Sequence, residues 1–266
     1  GLRRGAGTHS ENDRKMTELL APAGDEQSAY AALNAGADAV YLGLTRFSAR
    51  ESAENFSPSA LERVARFAHI RGAKVYDALN TLVKEEETGA FFHAAREAYN
   101  AGADAILLQD IFLGRALKDA YPELTLHLST QAGCCNVHGA EVAKEYGFSR
   151  AVLARETPAE DIPAISAVIE TEAFIQGALC TCFSGQCYLS SFAGGNSGNR
   201  GRCKQPCRKK YAVDRAGFEE PAYALSLSDL SVGKDVRTLL SAGVTSLKIE
   251  GRMRSPAYAA AAVKYY

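Results

Sequence analysis

From Glu18 onward, short apolar runs alternate with amphipathic stretches at a spacing of roughly thirty residues. The runs read as strands at Glu18–Ala23, Ala39–Leu44, Lys74–Asn80, Ala105–Asp110, Leu124–Gln131, Arg150–Glu156, Glu172–Leu179 and Ser246–Arg252. Most are continuously apolar, the pattern of strands covered on both faces rather than one. Between them, Asp25–Ala35 predicts a helix closed by Gly36. Ser57 followed by Pro58 opens a second helix that runs to Arg71 and ends at Gly72, since proline suits the first helical position. Glu87–Ala101 predicts a third, and a last helix starts within SPAYAAAAVKYY after Arg252.

An internal repeat sharpens this picture. NAGADA occurs at Asn34–Ala39 and again at Asn100–Ala105, 66 residues later, each time leading into an apolar strand. The glycine ends a helix in a left-handed turn and the small residues let the next strand begin at once. Ser241–Val244 echoes the same joint. Identical helix-to-strand joints two βα units apart predict a (β/α)8 TIM-type barrel, with a doubly wound open sheet as the rival. The rhythm breaks only between Leu179 and Ser246, where about sixty-five residues intervene against a usual connection of about 2–6. A connection this long is commonly functional.

Composition changes little and excludes some things. The 266 residues, 47% hydrophobic and 23% charged, suit one large α/β domain. We expect that domain over residues 16–266, continuing beyond the last helix, and a disordered leader or cloning remnant over residues 1–15. A net charge of −1 favours no polyanion over the whole surface, so any charged partner must meet a local patch. No apolar run reaches the roughly 18 residues of a membrane span, and the polar opening lacks a secretion signal. Seven cysteines, an odd number, in a cytoplasmic type of sequence point to metal or catalysis rather than disulfides.

Five of the seven cysteines lie in the long connection. Six residues separate Cys180 from Cys187, fifteen separate Cys187 from Cys203, and three separate Cys203 from Cys207. Thiolates bind soft metals and iron–sulfur clusters, and four from one segment can complete a four-iron cluster. Gly185, Gly194, Gly195, Gly198 and Gly201 let the backbone turn tightly around them. The alternative is structural zinc, although zinc pairs usually leave two to four residues between cysteines. Cys182 is an alternative to Cys180 as a ligand. Cys134 and Cys135 read as small buried hydrophobes.

Barrel enzymes carry their sites at the carboxyl ends of the strands. Those ends hold Asn80, Asp110, Ser129, Gln131, Arg155, Glu156, Lys248, Glu250 and Arg252, while Glu172 opens the seventh strand and points to the barrel's opposite end. Charge in apolar strands is costly unless paired or used. The choice is therefore between salt bridges lacing the barrel and an anion-recognising mouth, with Arg155 and Arg252 suited to carboxylate or phosphate. His127 reads as structural. No H-E-x-x-H, G-x-S-x-G or P-loop pattern occurs. Arg200–Lys210 holds six basic residues among eleven, either a solvated face or a grip on an RNA backbone. Arg202 and Lys204 are the candidates for that grip.

The stretches ELLAPAGD, GADAVYLG, NTLV at Asn80–Val83, STQA at Ser129–Ala132, LARE at Leu153–Glu156, EAFIQGALCTCFSGQCYLS at Glu172–Ser190, RGRCKQPCR and SLKIEGRMRSPAY together resemble the collagenase-like peptidase family U-32, across nearly the whole chain. The resemblance implies a [4Fe-4S] cluster on Cys180, Cys187, Cys203 and Cys207. It also implies oxygen-independent hydroxylation of tRNA or rRNA, or of ubiquinone precursors, with prephenate as a needed metabolite. Some relatives take a fourth ligand from beyond the second pair; this chain has no cysteine after Cys207, so either Cys207 serves in that role or the cluster is incomplete. In this reading Arg155, Arg252 and Lys248 hold an anionic co-substrate, Glu250 or Glu156 moves protons, and Asn80, Ser129 and Gln131 contact substrate. The competing functions are a peptidase, as the family name implies, and a non-catalytic iron–sulfur subunit of a hydroxylase pair, as a homo- or heterodimer.

Overall fold

The apolar runs close into a barrel. In the computed structural model, residues 17–49, 55–212 and 221–266 are described; the expected leader at residues 1–15 lies outside them. The strands are β1 (Glu18–Pro22), β2 (Ala39–Leu42), β3 (Lys74–Ala78), β4 (Ala105–Leu108), β5 (Leu126–Leu128), β6 (Arg150–Val152), β7 (Glu170–Gly177), β8 (Leu230–Ser231) and β9 (Ser246–Ile249). Parallel pairing runs from β1 to β7 in sequence order, then from β7 to β9 and from β9 back to β1. Eight parallel strands thus form a ring without an edge, which settles the choice against an open sheet. β8 adds only two antiparallel residues to the end of β7.

The helices are α1 (Glu26–Ala35), α2 (Pro58–His69), α3 (Thr88–Asn100), α4 (Ile111–Ala120), α5 (Val137–Glu145), α6 (Ile162–Ser166), α7 (Leu189–Gly194), α8 (Val236–Ser241) and α9 (Pro256–Tyr265). Local signals start several of them. The side chains of Asp25, Ser57, Asp110, Asn136 and Ser255 each accept a backbone N–H of the following first turn, satisfying donors that a helix start leaves open. Asp110 is therefore a cap rather than a site residue. Both NAGADA glycines take left-handed backbone, φ 110° at Gly36 and 96° at Gly102, as the repeat requires.

Two apolar layers result. Val40, Leu42, Val75, Ile106, Leu126 and Ile175 face outward and pack under helix residues such as Leu61, Val64, Phe91 and Leu117. Leu20, Tyr41, Tyr76, Leu107 and Val152, with Phe174, fill the inside. Most strands end two to four residues before the apolar runs do. The ladder stops where neighbouring chains diverge, so Asn80, Ser129, Gln131, Arg155, Glu250 and Arg252 stand on the turns above the strands.

Candidate functional site

Charge inside the barrel is arranged in pairs. Glu172 on β7 is fully buried. Its Oε1 takes Lys248 Nζ at 2.7 Å and its Oε2 takes Arg150 Nη1 at 3.3 Å and Ser246 Oγ at 3.3 Å. Glu18 on β1 takes the same Arg150 nitrogen at 2.6 Å and the Tyr76 hydroxyl at 2.6 Å. Burial pushes the Glu18 carboxyl up, but Arg150, Tyr76 and Ser246 together hold it below the usual carboxylate range. Burial, reinforced by Arg150, Lys248 and Lys74, keeps His127 neutral, its pKa far below that of a free imidazole; its ring meets Tyr76 edge-on at 4.9 Å. For Glu172 and Lys248 the lacing reading holds, with Glu172 toward the closed end as its position on β7 suggested.

Above this plug lies a cavity of about 150 Å³, the size that holds one six-membered ring. Its wall includes Asn80, Ser129, Gln131, Arg155, Lys248, Glu250 and Arg252, and also Cys180, Cys187, Cys203 and Cys207. Eleven of the fourteen residues singled out from the sequence therefore meet at one place. Arg252 is buried and donates to Ser48 Oγ at 2.8 Å. A side chain at Gly43 would come within 2.5 Å of its guanidinium, so that motif glycine makes room for it. Arg155 lies 4.5 Å from the Phe174 ring centre, and its buried Nε has no hydrogen-bond partner. Asn80 donates to Ser129 Oγ at 3.2 Å and accepts the Ala49 N–H.

Three expected residues lie elsewhere. Glu156 is exposed and outside the cavity wall; its two oxygens accept the N–H and hydroxyl of Ser184, each at 2.9 Å. That contact anchors the cysteine segment to the turn after β6. Arg202 lines a second hollow with Ser48, Thr81, Glu87 and Arg200. Lys204 is exposed, its backbone N–H held by Ser190 Oγ at 3.0 Å.

The cysteine segment is fastened at several further points. Gly185, at φ +74°, touches the Gln131 carbonyl so closely that a Cβ there would overlap it at 1.8 Å. Arg200 grips Glu87 through two bonds of 2.7 and 2.8 Å and also donates to Leu82 O. Arg208 donates to Leu179 O, Ser226 Oγ and Leu227 O. The thiols influence one another: burial, then the neighbouring Cys180, Cys203 and Cys187, raise the pKa of Cys207. Among the described residues no three His, Cys, Asp or Glu side chains close on a point where a single metal ion would sit.

Two residues escaped the sequence reading. Tyr41 lies in an apolar run, yet its hydroxyl reaches Ile249 O at 3.0 Å and Glu250 Oε2 at 3.3 Å inside the cavity wall, with Lys248 4.2 Å from its ring centre. A tyrosine facing the inside of a barrel was the only available signal. Asp77 on β3 is completely buried beneath the mouth. It accepts the Leu44 N–H, while its second oxygen has no partner. Burial pushes its pKa up to about 7, with Leu44 N–H and Arg252 only partly opposing.

An eight-stranded barrel whose mouth gathers four cysteines and three cations is the class that fold and site define. The model of peptidase family U32 matches residues 24–266, and the chain belongs to that family. It is 39% identical over 246 residues to the 23S rRNA 5-hydroxycytidine C2501 synthase of Escherichia coli, covering 91% of this chain and 37% of that protein. It is 35% identical over 263 residues to tRNA hydroxylation protein P1 of Bacillus subtilis, covering 95% and 62%. A protein named collagenase from Porphyromonas gingivalis is 34% identical over 262 residues, covering 91% and 62%. The chain thus spans less than two thirds of the length of these relatives. Among solved structures, the U32 peptidase Mk0906 superposes with a TM-score of 0.58 at 15% identity, covering 93% of this chain and 99% of that one, a likeness of fold. Among the described residues no helix is long and apolar enough to cross a membrane.

Proposed function

We propose that the chain is the barrel part of an iron–sulfur-dependent hydroxylase acting on tRNA or rRNA in a reducing, cytoplasmic setting. The observation that carries this reading is the meeting of Cys180, Cys187, Cys203 and Cys207 with Arg155, Lys248 and Arg252 around one small cavity. The six-residue gap between Cys180 and Cys187 suits a cluster better than zinc, whose paired cysteines usually leave two to four residues between them. A tetrahedral zinc needs four sulfurs at about 2.3 Å from a common point, whereas a four-iron cluster takes its thiolates at separate corners. Relatives named for RNA hydroxylation support the substrate class.

Bound there, a [4Fe-4S] cluster supplies electron transfer or activation of an oxygen donor. The chain's own residues do the rest. Arg155, whose Nε lacks a hydrogen-bond partner, and Arg252 hold an anionic co-substrate, for which the family resemblance implies prephenate. Lys248 Nζ adds positive charge from below while staying tied to Glu172. Glu250, in contact with the Tyr41 hydroxyl, is the group placed to take or give a proton. Asn80 and Ser129, already bonded to each other, position the target.

A serine or cysteine peptidase most often pairs its nucleophile with a histidine base, and no histidine is among the residues that line the cavity. The test is anaerobic purification with iron and sulfide analysis, beside a Cys203→Ala, Cys207→Ala variant and mass spectrometry of RNA from a strain lacking the gene. We expect a brown protein with about four irons per chain, colour lost in the variant, and one hydroxylated nucleoside missing from the RNA. A colourless zinc protein, or gelatin cleavage that survives loss of all four cysteines, would overturn the proposal.

A further inference from the structure

The cysteine segment carries aromatic side chains that the barrel does not use. Phe183 is 69% exposed, Tyr188 53% and Phe192 90%, three within ten residues of one another. Burying such rings is worth about 1.5–3 kcal/mol each, so leaving three in water on one segment asks for an occupant. Tyr188 and Phe192 stand on the same side of α7. The Phe192 N–H donates to Tyr188 O at 3.0 Å, one helical turn apart, while Ser190 on the other side is buried. Phe183 is both exposed and part of the cavity wall, which places it at the rim. None of the three pairs with another ring among the described residues.

The charge that the segment itself carries has one sign, and the carboxylate of Glu156 beside it is held by Ser184. Residues 173–212 contain six Lys and Arg and no Asp or Glu. Two of these cations are committed within the fold, Arg200 to Glu87 and Arg208 to three oxygens. Lys204 and Lys209 are exposed and make no ion pair among the described residues. Lys204 is tied by its backbone to Ser190 of α7 itself, so an exposed cation stands beside the short helix that carries Tyr188 and Phe192. A chain of net charge −1 that keeps a forty-residue segment free of acid has made a local exception.

We propose that this patch is a stacking platform for an unpaired RNA strand. Bases lie on Tyr188 and Phe192, the backbone runs along Lys204 and Lys209, and Phe183 stacks on the nucleotide about to enter the cavity. Aromatic faces joined to basic residues are how proteins hold single strands irrespective of sequence, because every base has a π-face. A duplex keeps its bases stacked inside and offers such rings nothing. The inference rests on the RNA reading above and adds to it the form of RNA and the residues that grip it.

Binding of the full chain to a fluorescent single-stranded oligoribonucleotide, and to the same sequence as a duplex, tests this across a salt series. Tyr188→Ala with Phe192→Ala should weaken single-strand binding by roughly tenfold or more, leave the salt slope and the weak duplex binding unchanged, and leave the visible spectrum intact. Lys204→Gln with Lys209→Gln should instead flatten the slope by about 1.4, at ~0.7 for each phosphate no longer neutralised. Equal weakening on both RNA forms would overturn the platform, as would an unchanged affinity in the aromatic variant. In the second case RNA still binds and the hydroxylase reading stands. Absence of RNA binding by the wild-type chain would remove both, and weaker gelatin-peptide binding in the aromatic variant would assign the patch to a protein partner.

Discussion

Replacing Glu172 by glutamine should destabilise the barrel by about 3–5 kcal/mol, the usual cost of breaking a buried ion pair by removing one member. Two carboxylates, Glu18 and Glu172, face two cations, Arg150 and Lys248, so these four buried charges sum to zero, while the partly exposed Glu170 reaches Arg150 at 3.4 Å. Glutamine keeps the volume but removes one charge, and it turns an NH2 group toward donors. Arg150 still has Glu18 at 2.6 Å. Lys248, 4% exposed, has no other carboxylate among its described ion pairs, so it bears most of the cost. That penalty is a large share of a total stability of about 5–15 kcal/mol. Urea unfolding of the wild type, Glu172→Gln, Lys248→Met and the double variant measures it. The double variant should be destabilised by less than the sum of the singles, by about 1–3 kcal/mol, because removing both charges leaves neither stranded. A Glu172→Gln change within about 0.5 kcal/mol of wild type, or strict additivity, would refute the account of the plug.

Three other outcomes follow from the geometry. Gly185→Ala forces a Cβ onto the Gln131 carbonyl at a left-handed position; it should leave the circular dichroism of the barrel in place while iron content falls steeply. Asp77 holds its proton up to about pH 7, against a free-acid value of 3.8. The folded chain therefore binds more protons than the unfolded one between these values, and stability falls as pH rises through that window. Asp77→Asn, which keeps the Leu44 bond, should flatten the profile in unfolding curves taken across it. Arg200→Ala removes the grip on Glu87 and Leu82 and should speed limited proteolysis within residues 178–212 without changing cleavage of the helices.

That Cys180, Cys187, Cys203 and Cys207 meet at one cavity was legible because they crowd into one glycine-rich segment between two strands. The strand-end polar residues were legible for a different reason, since parallel strands in a barrel all deliver their carboxyl ends to one side. Glu156 shows where this stops. It follows Arg155 directly, yet Arg155 turns into the cavity wall and Glu156 turns out to hold Ser184. Adjacent residues on a turn diverge, and no periodicity records which way each goes. Asp110 was ambiguous likewise, because a carboxylate one position before a helix reads as cap or site until the helix start is seen.

By itself the sequence determined the repeating units, the joints between them and the side chains available at each strand end, because period and turn chemistry are local properties. Only the tertiary structure decided which charges cancel. Glu18, Arg150, Glu172 and Lys248 lie as far as 230 residues apart in the chain, between Glu18 and Lys248, and ring closure alone sets them side by side. The same closure separates Lys248, held from below, from Arg155, whose buried Nε is left without a partner. A buried charge is tolerated according to what surrounds it in space, and that is settled when β9 pairs with β1 and β7.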